Sequence, residues 1–224
     1  MKGMLQFCVP ICFVHAVNSG KSKAPGFFRA GILVIVSWFL FCPLLSAQEK
    51  RLSYNIKRNG SVIGNMQLYK KDSGTITSMR LESAVKTRML ISIRIASRED
   101  ALFENGILSY SYLYRKVNDD VKLRKTHRKY GNQYVVSQKT GKTDTVRIYP
   151  VRYNILCLYF EEPVNLRELY SDNYQRMLQI TKIGQHQYKI KLPDGNYQNY
   201  YYQNGVCHKI VVDSSFFTIT MELI

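Results

Sequence analysis

Few residues of this chain have both the type and the spacing that catalysis asks for. Glu161 and Glu162 are adjacent carboxylates, but neighbours in sequence point apart on a strand or helix, and a catalytic pair must converge on one bond. Asp194, Asp213, His127, His186 and His208 are scattered among turns and strand ends. A Ser-His-Asp grouping forms only in space, and nothing in the spacing asks for one. There is no Gly-x-Ser-x-Gly elbow, Gly-rich phosphate loop, Cys-x-x-Cys or pair of histidines at helical spacing. The expectation is therefore no catalytic set, no metal and no cofactor, with a hydrolase kept as the catalytic alternative.

Cysteine chemistry is sparse. After Ala47 only Cys157 and Cys207 remain. An oxidising compartment would allow them to pair as one disulfide. The alternative is a buried thiol in Leu156-Cys157-Leu158, where cysteine acts as a small hydrophobe.

Binding chemistry has more to work with, because the 224 residues include 17 tyrosines. Tyr110, Tyr112, Tyr114, Tyr159, Phe160, Tyr200 and Tyr202 form the candidate ligand-binding set. Aromatic groups of this kind stack on sugars, cover acyl chains or anchor partner proteins. Cross-strand ladders that only stabilise a sheet are the competing reading. Arg115, Lys116, Lys122, Arg124, Lys125 and Arg128 follow the first tyrosine run and are the candidate anion rim; the competing reading is a charged hairpin guarding a sheet edge.

The elements that would position these groups are strands. Alternation of period two recurs in Met79-Leu81-Ser83-Val85, Ile91-Ile93-Ile95, Leu108-Tyr110-Tyr112-Tyr114, Val121-Leu123 and Tyr188-Ile190-Leu192. Turn signals such as Asn59-Gly60, Asn105-Gly106, Asp194-Gly195 and Asn204-Gly205 separate the runs. The pattern predicts an all-β domain: a strongly curved antiparallel sheet or incomplete β-barrel of about ten to twelve strands, since so many strands must curl to protect their edges. Alternation fails from Arg152 to Asn173, where Asn154 to Phe160 reads as a short apolar helix or a buried loop closed by Pro163, and the expectation is one short helical insert near 153–170. Such an insert could cover the core or plug a ligand cavity in the concave face.

Address and charge bound the partners. No charged residue lies between Arg29 and Glu49, and the apolar run from Gly31 ends in Leu45-Ser46-Ala47, the layout of a secretory leader. The expected organisation is an N-terminal extension and signal peptide at 1–47, followed by a single exported domain at 48–224. The long stretch before the apolar run leaves two readings open, an upstream start or an uncleaved anchor at 31–47. Four of the 32 Lys and Arg residues precede Gln48 and none of the 16 acids does, which leaves +12 on the exported part. Outside the cytoplasm that charge points to a lipid or anionic glycolipid or to envelope proteins, not to nucleic acid; solubility alone is the plainer reading. Membrane contact would run only through 31–47.

Three segments, Tyr54 to Gly64, Leu158 to Pro163, and Pro193-Asp194-Gly195 through Tyr200, Tyr202 and Gly205, carry a resemblance. The chain resembles an uncharacterised family of exported β-sheet proteins from Bacteroidetes-like Gram-negative bacteria. The resemblance implies a curved antiparallel sheet or half-barrel in the periplasm or cell envelope, and it brings no activity or functional residue. Together these readings point to a non-enzymatic envelope protein holding an apolar or amphipathic ligand in a concave sheet face, or to an interaction module without a small ligand.

Overall fold

The computed structural model describes residues 48–224, apart from 89–91, 149 and 215–217. The expected leader and anchor at 1–47, and Ile91 of the alternating runs, lie outside the described residues. The described residues group as one unit.

Among the described residues fourteen strands form one antiparallel sheet, more than the ten to twelve expected. They are β1 (Gln48–Arg58), β2 (Ser61–Ser73), β3 (Ile76–Arg88), β4 (Ser92–Glu104), β5 (Ile107–Val117), β6 (Asp120–Tyr130), β7 (Gln133–Gln138), β8 (Thr143–Arg147), β9 (Glu168–Ser171), β10 (Arg176–Gly184), β11 (Gln187–Lys191), β12 (Tyr197–Gln203), β13 (Val206–Asp213) and β14 (Thr218–Leu223). The undercount has a physical cause. Strands β8 and β9 have only five and four residues, too few for alternation to show.

The spatial order is β8 to β1, then β14 down to β9. Eight strands thus meander outward, one crossover carries the chain to the far edge, and six strands meander back until β14 pairs with β1, Tyr54 opposite Leu223. The sheet is not closed, since β8 and β9 remain its two ends. Register shifts in several hairpins bend it, including those at Ile56/Lys57, Leu102/Phe103, Arg115/Lys116 and Tyr201/Tyr202.

The insert is less helical than expected. Only Cys157–Phe160 forms a turn of helix, α1, without a side-chain cap. Its flanks spend their backbone groups elsewhere: Leu108 N–H donates to the Val151 carbonyl at 2.8 Å, and Tyr170 N–H to the Tyr153 carbonyl at 2.9 Å. Glu168–Ser171, inside the expected helical stretch, is strand β9.

The core lies between the concave face and this insert. Leu52, Tyr54, Met66, Leu68, Leu81 and Ile210 from the sheet meet Leu156, Leu158, Tyr159 and Phe160 from α1 and its approach. Tyr159 packs edge-on to Tyr54 and Tyr200. Tyr170 of β9 stacks on Tyr134 of β7 with ring centroids 6.0 Å apart, so side chains link one end of the sheet to the strand next to its other end.

Candidate functional site

The tyrosines expected to act together are divided between the two faces. In β5 the partners shift from Leu102↔Tyr110 to Phe103↔Leu108, which leaves Ser109 as an extra residue. Leu108, Ser111 and Leu113 point inward and are buried, whereas Tyr110, Tyr112 and Tyr114 are only half-buried, on the outer face. Alternation alone had put Leu108 and the three tyrosines on one face, and the bulge separates them. Tyr112 and Tyr114 lie with rings 13° from parallel, and the Arg128 guanidinium sits 5.0 Å from the Tyr110 ring centre.

Tyr159, Phe160, Tyr200 and Tyr202 are all buried. Phe160, Tyr200 and Tyr202 are core packing, and Tyr159 is both core and cavity wall. The Tyr202 hydroxyl donates to the Leu158 carbonyl at 2.9 Å, which docks α1 on the concave face.

Between that face and the insert a cavity of about 360 Å³ remains. Met66, Leu81, Val85, Leu113, Ile219 and Met221 supply sheet walls, and Ile155 and Tyr159 supply the insert wall. Its polar groups include Glu99, Arg115, Asp172, Tyr174, Asp194 and Gln198, with Ser83, Ser97, Ser171 and Asn173 beside them. Of the acids, Asp194 was named in the sequence only as one of several scattered groups, and Glu99 and Asp172 were not singled out. Glu99 carried a usable signal, being a charge at an inward position of β4 between Ile95 and Phe103.

Asp172 is buried and its two oxygens are occupied, accepting from Ser111 Oγ at 2.5 Å and Asn154 Nδ2 at 3.0 Å. Burial nevertheless pushes its carboxyl up to about 6. Glu99 is pushed up to about 7, first by burial and then by the charge of Asp172, against the pull of Arg115. Asp194, more exposed, accepts from Tyr174 Oη at 2.5 Å, and that bond holds it below the usual carboxylate range. Hydrolysis by a carboxyl pair needs two groups free to face one bond; Asp172 is engaged by Ser111 and Asn154.

The six rim residues do not form one rim. Arg115 alone reaches the cavity. Lys125 also points inward, but its Nζ donates to the Asn173 carbonyl at 2.6 Å. Arg124 and Arg128 are exposed on the outer face, paired with Tyr114 and Tyr110. Lys116 and Lys122 lie near the β5–β6 turn and face Asp119 and Asp120. The bulge at Arg115/Lys116 and the period of two send adjacent cations to different faces.

Of the two cysteine readings, the structure has the unpaired one. Cys157 and Cys207 are free, buried thiols. Each has its own acceptor, Asn154 Oδ1 for Cys157 and the Lys209 carbonyl for Cys207. Burial pushes both up to about 12. Glu162, the better placed of the adjacent glutamates, accepts from Tyr188 Oη at 2.8 Å and lies 2.9 Å from His186 Nδ1, fixing the insert to the β10–β11 hairpin. No group of three or more His, Cys, Asp or Glu able to hold a metal occurs among the described residues.

Fold and site together define an all-β, barrel-like protein whose sheet stays open and whose concave face is largely filled by its own insert. The chain belongs to the family described as Domain of unknown function (DUF6134), which it matches over residues 54–224. A similar fold is seen in the crystal structure of a β-barrel-like protein of the domain of unknown function DUF1849 from Brucella abortus, with a TM-score of 0.50 and 12% identity over 80% of this chain and 96% of that one. At that identity the likeness is one of fold. No curated protein matches the sequence.

Proposed function

We propose that this chain is a non-enzymatic exported envelope protein that holds a single-chain amphipathic molecule, such as a lipid, in its concave face. The observation that carries this reading is the cavity: about 360 Å³, with aliphatic side chains on about half of its wall and Arg115, Glu99, Asp172 and Asp194 among the polar groups on the rest. Its volume is near the lower end of the range for small-molecule sites, about 300 to 1,000 Å³, which suits one acyl chain better than two. An apolar tail would gain by leaving water, and Arg115 would meet an anionic head.

The test is native mass spectrometry of protein purified from its own envelope fraction. A copurifying amphiphile, lost when Leu81→Trp fills the cavity, is the expected result. Ligand-free protein that also fails to displace a fluorescent fatty-acid probe would end the reading.

A second reading rests on β8, which among the described residues is paired on one side only, to β7. An edge of this kind can accept a strand from a partner protein, making the chain an envelope interaction module. Crosslinking in intact cells through a photoreactive residue at Thr145 would then give one dominant protein adduct.

A further inference from the structure

The outer face carries a second concavity, larger than the inner one. It is a groove of about 600 Å³ crossing β1 to β5, and the register shows how it is built. One row of cross-strand partners runs Arg51, Tyr69, Arg80, Asp100; the next runs Glu49, Lys71, Ser78, Leu102, Tyr110.

Tyr69 and Tyr110 line its two ends. They stand three strands apart, about 14 Å at the usual strand spacing, so a short chain of rings fills the groove better than a single ring. Each is backed by a cation, with Arg51 5.6 Å from the Tyr69 ring centre and Arg128 5.0 Å from that of Tyr110. A ring held in this way keeps its orientation and offers an amphipathic surface.

Between the tyrosines the floor consists of paired charges. Asp100 accepts from Arg80 Nε at 2.6 Å and from Arg98 Nε at 2.7 Å. Both arginines meet Asp100 through Nε. Glu49 and Glu82 add further carboxylate acceptors. Pre-positioned donors and acceptors between two aromatic rings suit a molecule that presents hydroxyls at its edges and C–H groups on its faces. Its three carboxylates are matched by Lys71, Arg80 and Arg98, so the lining carries no net charge to draw the phosphates of nucleic acid or of an anionic membrane.

We propose that this outer groove binds a carbohydrate chain, an oligosaccharide lying across β2 to β5 with rings stacked on Tyr69 and Tyr110. The site is on the opposite face from the cavity and does not depend on the amphiphile reading.

The test is ligand-observed NMR and calorimetry on the full chain with cellotriose, chitotriose, maltotriose and trigalacturonate as probes. At least one should bind. Tyr69→Ala and Tyr110→Ala should each weaken it about tenfold, Tyr110→Phe should not, and Tyr114→Ala, outside the groove, should leave it unchanged. Asp100→Asn keeps side-chain volume and should also weaken binding, so the result does not hang on a tyrosine truncation folding well. Failure of all four sugars to bind, binding unaffected by Tyr110→Ala and Asp100→Asn, or tighter binding of oligo(dT) or phosphatidylglycerol vesicles would each overturn the proposal.

Discussion

The hydroxyl of Tyr202 donates a buried hydrogen bond, 2.9 Å long, to the carbonyl of Leu158, 44 residues earlier in the chain. Leu158 lies within the one-turn helix, whose last carbonyls have no partners in a following turn. Tyr202→Phe keeps the ring and strands that carbonyl, so a loss of about 1 to 2 kcal/mol is expected in urea denaturation. An unchanged midpoint would show that the bond does not hold the insert.

The two groups of tyrosines should respond differently to truncation. Tyr200 is 1% exposed in the core, and Tyr200→Ala should cost about 3 to 5 kcal/mol. Tyr112 stands half-buried on the outer face, where Tyr112→Ala should cost only about 1 kcal/mol or less. Thermal unfolding of both variants measures the contrast, and equal losses would contradict the assignment of faces.

Gly64 is required by close approach. A Cβ there would lie 2.2 Å from the Ala84 carbonyl oxygen and 2.8 Å from the Val85 Cα, both backbone atoms of the neighbouring strand. Gly64→Ala must push β2 from β3 and should lose about 2 to 3 kcal/mol by chemical denaturation. A variant as stable as the parent would mean the strands are spaced more widely here.

Glu99 makes stability depend on pH. Its carboxyl rises from 4.5 to about 7 in the folded chain, so its contribution is full below about 4.5 and is lost as the pH rises through 7. Asp172 acts in the same direction, its contribution lost as the pH rises through about 6. His127 opposes both, because burial first and Lys125 second lower it to about 4, so its contribution is present above 6.5 and lost as the pH falls through 4. Glu99→Gln isolates one group. Relative to the parent, the variant should gain on the order of 1 to 2 kcal/mol between pH 5 and pH 8, read from melting curves. A pH-independent difference would show that Glu99 is solvated.

Cys157 and Cys207 should resist thiol reagents in the native chain, since the reactive species is the thiolate and burial holds both thiols up to about 12. Mass mapping after alkylation should find both unmodified until denaturant is added. Fast native labelling of Cys207 would place it outside the core.

The β class was legible because Met79, Leu81, Ser83 and Val85, and again Tyr188, Ile190 and Leu192, alternate at the one spacing that gives a strand a wet and a dry face. The turns were legible too, since Asn59, Asn105 and Asn204 occupy positive φ directly before glycine, as a tight hairpin demands. Charge and alternation are local properties, which a single strand displays by itself.

Other features were not local. The Ser109 bulge turns Leu108 inward and Tyr110 outward, and it depends on the partner offered by β4, so the tyrosine run alone could not reveal its face. Glu99 and Asp172 are 73 residues apart and meet only when the crossover returns the chain across the concave face. Tyr69 and Tyr110 become the ends of one groove only through the register of four strands. By itself, then, the sequence determined a sheet that must curl to bury one side of its strands. Tertiary structure decided which side each aromatic and each charge would serve, because bulges and register are set by neighbouring strands and not by the strand that carries the residue.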